Sequence, residues 1–275
     1  MRPDHGIRFH VRHVDETGST NDDVLRLLDR TLDADRPAVD SNLDLLVLRT
    51  GQQTAGRGRL DRRWDAPPGA NLLFSILFQH PPQRPHVVTQ AVSLAAVRAV
   101  DRVAGWTIEA SEASLKWPND VLLGGAKLAG LLAQRHSSGA VIAGMGLNVG
   151  WAPDGAAKLH DIESGVASSI DPAGLLDVLL DELWQLSSEG RFDAGGVDAA
   201  VMSAARLRTS TIGADVRVEL PGGRHVEGRA VAIDDDGRLV VDHPEERGVA
   251  PGDGTGSRRV SRFDVGDIVH LRRPR

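Results

Sequence analysis

The chain has 275 residues, 25% of them charged and 41% hydrophobic, with a formal net charge of -6; this suits a globular protein with a sizeable core and a small second module, and it argues against bulk attraction to nucleic acid or an anionic membrane. There is no cysteine, which excludes disulfides, thiolate metal sites and cysteine nucleophiles. No apolar run approaches the ~18 residues that cross a bilayer and the N-terminus lacks the apolar core of a signal peptide, so a cytoplasmic protein is expected.

"IRFHVRHV" (7–14) alternates and reads as a strand. "GSTNDDVLRLLDRTL" (18–32) reads as a helix start: Ser19 or Thr20 caps, Asp22 and Asp23 follow at capping-box spacing, and Val24, Leu25, Leu28 and Leu32 make the apolar face. "LLVLRT" (45–50) is a short buried strand, and "GQQTAGRGRLDRRW" follows it. "NLLFSILF" (71–78) is another strand. "VVTQAVSLAAVRAVDRVAG" (87–105) is helical, with Gly105 placed to end it in a left-handed turn. From Ser114 to Gly150 the pattern reads as three strands with turns at Gly124-Gly125 and Ser138-Gly139. A helix runs from Pro172 to about Glu189, with Leu175, Leu176, Leu179, Leu180, Leu183 and Leu186 inward, and a second spans about Val197–Arg206. After Thr209 the chain turns to short alternating strands and tight turns, interrupted by the polar, glycine-rich "EERGVAPGDGTGS" (245–257). About 65 residues of this kind suggest a small β-barrel of SH3-like size. The expected division is 1–210 and 211–275.

Four stretches stand out chemically. The first holds Arg57, Arg59, Arg62 and Arg63, separated in part by Gly56 and Gly58. Glycine lets backbone approach a ligand closely, and the guanidinium fork matches carboxylate or phosphate oxygens. The loop therefore reads as an anion cradle or as a solvated basic loop, and Trp64 beside it can cover a flat ring. The second is "KWPND", where Pro118, Asn119 and Asp120 make a turn after a strand and Lys116 precedes it. It reads as a plain hairpin connection or as the wall of a cleft. In the third, "GGAKLAG", Lys127 sits among small residues at a strand start, an odd place for a charge unless an anion arrives. The fourth, "GMGLNVG", carries Gly144, Gly146 and Gly150 at GxGxxxG spacing with no following helix, so it is not a dinucleotide fingerprint. No P-loop, HExxH or GxSxG pattern exists, and the histidines are scattered. No protein metal site is expected.

Taken in order, "STN", "GQQTAGRGR…W", "KWPND", "KLAG" and "GMGLNVG" resemble the catalytic domain of biotin protein ligases, and the C-terminal β pattern fits that family's tail. The resemblance implies a mixed α+β fold, class II synthetase-like, with a central sheet flanked by helices and a small SH3-like barrel. It implies that biotin's carboxylate attacks the α-phosphate of ATP, with Mg²⁺, and that a lysine of a biotin carboxyl carrier domain of an acyl-CoA carboxylase takes the acyl group. By resemblance Ser19, Thr20, Asn21 and Gln53 hold the biotin head. Gly56, Arg57, Gly58 and Arg59 belong to a loop over biotin and its adenylate, and Lys127, beside Gly130, reaches the carboxylate and the reacting phosphate. Lys116, Asn119 and Asp120 line the reaction centre. Gly144, Gly146 and Asn148 border the adenylate, Arg62 contacts the nucleotide and Trp64 partners the adenine. Asp120 is the candidate to position or deprotonate the incoming lysine, with a solvated turn carboxylate as the competing reading.

Two departures matter. Asp61 stands where the family loop commonly has glycine, which bears on the loop's second half and on Arg62. The STN motif begins only 18 residues in, which leaves no room for the family's DNA-binding domain, so no repressor function and no DNA partner are expected. A weak or ligand-linked homodimer fits the resemblance. The competing readings are a lipoate-attaching ligase, a non-catalytic nucleotide or anion binder, and a nucleic-acid module, the last disfavoured by the acidic balance and few aromatics.

Overall fold

A computed structural model describes residues 9–32, 45–59, 62–188, 191–192, 196–220, 222–244, 258–264 and 267–271. The elements are β1 (His10–Thr17), α1 (Thr20–Leu32), β2 (Leu46–Gln53), β3 (Leu72–Phe78), α2 (His86–Ala104), β4 (Ala113–Lys116), β5 (Asp120–Leu123), β6 (Ala126–Arg135) and β7 (Val141–Leu147). Then come α3 (Pro172–Gln185), α4 (Val197–Leu207), β8 (Asp215–Glu219), β9 (His225–Ile233), β10 (Leu239–Pro244), β11 (Arg258–Phe263) and β12 (Asp267–His270). The first seven strands form one sheet in the order β1-β2-β3-β7-β6-β5-β4, and the last five form a second in the order β11-β10-β9-β8-β12. Among the described pairs of strands, β1–β2 is parallel and the others are antiparallel. The fold is thus the expected mixed α+β arrangement, with a small antiparallel sheet after it.

Strand β3 explains how the large sheet is covered. All seven of its residues are buried, which requires packing on both faces. Leu72, Phe74, Ile76 and Phe78 join the main core with α2, while Leu77 joins a second cluster with Val24 and Leu28 of α1. Side chains alternate along a strand, so Ser75 shares Leu77's face and points toward α1. Helix α2 is buried nearly all round and packs against α3 and α4 as well as the sheet. Its small residues, Ala91, Ala95, Ala96 and Ala99, permit that enclosure. It ends as its sequence dictates, with Gly105 at φ 71°.

Three expectations change. The stretch 114–150 holds four strands, because Pro118 splits its first segment: β4 and β5 are a hairpin in which Lys116 pairs with Asp120, and proline cannot continue the ladder. Helix α3 ends at Gln185, with Leu186 at its C-cap. The first-turn carboxylates of α1 are engaged with neighbours: Asp22 pairs with Arg57, and Asp23 accepts the Thr17 hydroxyl at 2.5 Å and pairs with Arg26. The strand start at 7–8, Asp61 and the loop 245–257 lie outside the described residues.

The segment that leads from α4 into the second sheet is bonded to β4. The Leu115 N–H donates to the Arg208 carbonyl at 2.8 Å, and the Ser210 N–H donates to the Leu115 carbonyl at 2.8 Å. Arg206 pairs with Asp235 at 2.7 Å, and Arg84 pairs with Asp198.

Candidate active site

A cavity of about 360 Å³ lies on the α1 side of the large sheet. Its walls are the first turn of α1, the segments 57–59 and 62–65, and the facing parts of β5, β6 and β7. One end is buried and polar. Ser19, Thr20 and Asn21 are each less than 5% exposed. Gln53 Oε1 accepts from the Thr20 N–H at 2.9 Å and from its hydroxyl at 3.1 Å. Ser75 Oγ lies 2.6 Å from Asn21 Oδ1 and 2.7 Å from Thr20 Oγ1, and its single proton serves one of them at a time. The Asn21 amide donates to the Leu132 carbonyl at 3.1 Å and to Gln134 Oε1 at 2.9 Å. A buried network satisfied this fully fixes its members in place. It also explains Gly144, where a Cβ would come within 2.1 Å of Asn21 Oδ1.

The other end carries charge. Lys127 Nζ and Asp120 Oδ1 are 2.7 Å apart. Lys127 also lies 5.7 Å from the centroid of the Trp64 ring, and Trp64 covers Gly146, where a Cβ would approach its indole to 2.3 Å. Gly130 borders both side chains. Lys127 and Gly130 are three residues apart on one strand, so regular alternation would send them to opposite faces. The register of β5 against β6 shifts between Val121 and Leu122, and this bulge lets both line one cavity.

The arginine stretch is a hairpin. Arg57 bridges Arg63, the Gly58 N–H donates to the Arg62 carbonyl at 2.6 Å, and the Trp64 N–H donates to the Gly56 carbonyl at 2.9 Å. Gly56 is the base of this hairpin, with the Trp64 carbonyl 2.3 Å from the position of a Cβ; it does not line the cavity, whereas Arg57, Gly58, Arg59 and Arg62 do. Arg59 donates to Asn119 Oδ1 at 3.2 Å, and the Asn119 amide donates to the Leu131 carbonyl at 2.6 Å. Several guanidinium groups and one ammonium therefore face a chamber whose far end is neutral and hydrogen-bonded.

Like Gly56, Lys116 is not among the cavity's lining residues; with Asn119, Asp120 and Thr209 it lines a smaller hollow at the seam with the second sheet. Asn148 lines the cavity, but its amide donates to the Ala157 carbonyl at 3.0 Å and its oxygen accepts from Asn71 at 3.2 Å. Its side chain braces the 148–157 segment. Ser75 escaped the sequence reading, although a lone hydroxyl inside an all-apolar strand is itself a signal. Asn71, which also accepts from the Val149 N–H at 2.9 Å, was missed in the same way.

The resolved pKa shifts among histidines fall at the seam. Burial, followed by the charge of Lys116, lowers His270, and burial is also the leading cause for His86. Among the described residues no group of three His, Cys, Asp or Glu side chains could hold a metal ion, and no helix is long and apolar enough to cross a membrane.

Residues 40–150 match the Biotin/lipoate A/B protein ligase family and residues 211–271 match the Biotin protein ligase C terminal domain. The chain is 37% identical over 266 residues to the biotin–[acetyl-CoA-carboxylase] ligase of Mycobacterium tuberculosis, covering 94% of this chain and 88% of that one. The chain belongs to the biotin protein ligase family. A second relative of the same name, from Paracoccus denitrificans, is 30% identical over 248 residues, 86% of this chain and 95% of its own. The Aquifex aeolicus biotin protein ligase in complex with biotin and ATP superposes with a TM-score of 0.67 at 20% identity, over 96% of this chain and 99% of that one. At that identity the likeness is one of fold. As a biotin protein ligase, the chain has both matched segments at its two sheets.

Proposed function

We propose that this protein is an ATP-dependent biotin–[acetyl-CoA-carboxylase] ligase, with residues 1–210 carrying the reaction and 211–275 the appended β domain. The observation that carries the reading is the cavity itself: a satisfied polar pocket at one end, and the Lys127–Asp120 pair beneath an arginine hairpin at the other. The relatives named above act on the acetyl-CoA carboxylase, and the Aquifex structure holds biotin and ATP.

In the first step a biotin carboxylate oxygen attacks the α-phosphorus of ATP, the bond to the β-phosphate oxygen breaks, and pyrophosphate leaves. Thr20, Asn21, Gln53 and Ser75 orient the uncharged ring head. Lys127 and Arg59 offset the charge that gathers where carboxylate and phosphate meet, so the barrier falls by position and electrostatics and needs no nucleophilic side chain. In the second step the carrier lysine's neutral amine attacks the acyl carbon, AMP leaves, and the amine proton passes to a base. Asp120 is the carboxylate placed to receive it or to orient the amine. Trp64 supplies a flat face for the adenine. Asp120 and Asp65 are the carboxylates on the cavity wall that would hold a magnesium ion brought with ATP, and the ion would offset phosphate charge there. The protein is taken to work in the cytoplasm on a biotin carboxyl carrier domain.

The test is exchange of labelled pyrophosphate into ATP. Biotin should drive it and lipoate should not; equal exchange with lipoate removes the substrate assignment, and no exchange with either leaves a nucleotide or anion binder.

A further inference from the structure

The turn that carries Asn119 and Asp120 sits at the margin of the large sheet. Its strands, β5 and β4, are the last two in the order, and the segment 208–210 is bonded to the outer side of β4. On its inner side the turn is tied to β6, where the Leu131 N–H donates to the Asn119 carbonyl at 2.9 Å, so what packs on the other side decides whether the turn is held from both. Trp117 ties that side of the turn to the second sheet and to the segment that leads into it. Trp117 is 4% exposed, and its indole N–H donates to the Gly237 carbonyl at 2.9 Å, in the turn between β9 and β10. Its main-chain N–H donates to Thr211 Oγ1 at 3.0 Å. Thr211 is fully buried, and its hydroxyl lies 3.3 Å from His270 Nε2. A neutral imidazole nitrogen accepts the Thr211 proton and leaves the oxygen's lone pairs for Trp117. Two residues past Trp117, Asn119 meets Arg59, and one further on Asp120 meets Lys127.

We propose that Trp117 is a positioning residue: through Thr211 and Gly237 the C-terminal sheet fixes the turn that sets Asn119 and Asp120 against the reacting groups. This rests on the ligase reading above. Trp117, Thr211 and Gly237 do not line the cavity, and they are distant in sequence from the residues that hold the biotin head. Loosening it should therefore act on the rate at saturation and leave biotin affinity alone. Placement is demanding in such a reaction, since a misplacement of about 1 Å costs on the order of a hundredfold.

The experiment uses the full chain and biotin-dependent pyrophosphate exchange, with kcat, the KM for biotin and the thermal midpoint measured for each variant. Thr211→Val keeps the shape and removes the acceptor; Thr211→Ser restores it. Val218→Ala loosens the small sheet from its own buried interior. T211V should lose roughly tenfold in kcat with KM for biotin within about twofold, T211S should recover the rate, and V218A should lose thermal stability at unchanged kcat. Trp117→Phe, which removes only the indole N–H from a ring that stays buried, gives the same reading if T211V does not fold. A T211V rate equal to wild type overturns the clamp, as does a V218A loss that matches T211V or an effect confined to KM. A wild-type chain with no exchange sinks the ligase reading and the clamp with it, whereas an active wild type with an unaltered T211V sinks the clamp alone.

Discussion

The two ends of the cavity are built on opposite plans. At the Thr20 end, neutral donors and acceptors are buried on regular elements and satisfied by one another. At the Lys127 end, charged groups stand partly exposed on the arginine hairpin and at strand ends, paired with carboxylates. The first plan suits a fixed, uncharged shape, which is recognised best by a site that does not move. The second suits a charge that changes as bonds form, because ion pairs at a partly solvated surface cost little to exchange. The contrast predicts that changes at one end fall on affinity and changes at the other on rate.

The largest effect should come from Lys127→Ala. The ammonium acts where negative charge accumulates in the transition state, and a charge-assisted contact is worth about 1.5–3 kcal/mol, roughly ten- to a hundredfold in rate. Single-turnover adenylate formation beside calorimetric biotin binding separates the two quantities; a collapse in affinity at unchanged rate would break the comparison. Ser75→Ala should do the reverse. It strips a proton donor from Asn21 and Thr20 in a buried network, so the KM for biotin should rise about tenfold with kcat nearly unchanged. Arg59→Gly should be milder in the exchange assay, on the order of threefold, because several other cations face the same chamber. Its signature lies elsewhere: with the hairpin's hold on Asn119 gone, the adenylate should escape and acylate lysines of an unrelated protein, read as biotin attached to a bystander. Labelling confined to the carrier would mean that the hairpin binds without retaining.

The smallest effect concerns the seam. His86 and His270 both have folded-state pKa values below their ordinary 6.5, chiefly from burial. A depressed histidine binds its proton more readily in the unfolded chain, so its contribution is complete above pH 6.5 and is lost as the pH falls through the lowered folded value. The thermal midpoint should therefore decline between pH 7.5 and 5.5 by a few degrees at most, because both rings are half-buried and solvent screens them. The double variant His86→Gln, His270→Gln should flatten that decline; an unchanged slope would show that other groups set it.

Much of the site was legible in the sequence because its residues come in short runs. Ser19 to Asn21 share one helix turn, the arginines share one hairpin, and spacing within such runs needs no knowledge of the rest of the chain. Ser75 and Asn71 were not legible in this way. Ser75 is a single polar residue inside an apolar strand and Asn71 a single one just before it, and their partners lie 54 and 77 positions away along the chain. Lys116 is a different case: its motif suggested the reaction centre, and the structure puts it beside Asn119, Asp120 and Thr209 at the edge of that centre, outside the main cavity.

Composition and periodicity by themselves determined the layers: buried β3, enclosed α2, the glycine that ends it, and a change to short strands after Thr209. Those follow from local propensity and from which side of each element must leave water. The tertiary structure alone decided three things. It decided that a bulge in β6 brings Lys127 and Gly130 to one chamber, that Gly144 and Gly146 are glycines because Asn21 and Trp64 occupy the space of a Cβ, and that the second sheet grips the Asn119–Asp120 turn. Each is a contact between segments far apart in the chain, and such contacts leave only a lone small or polar residue as their trace in the sequence.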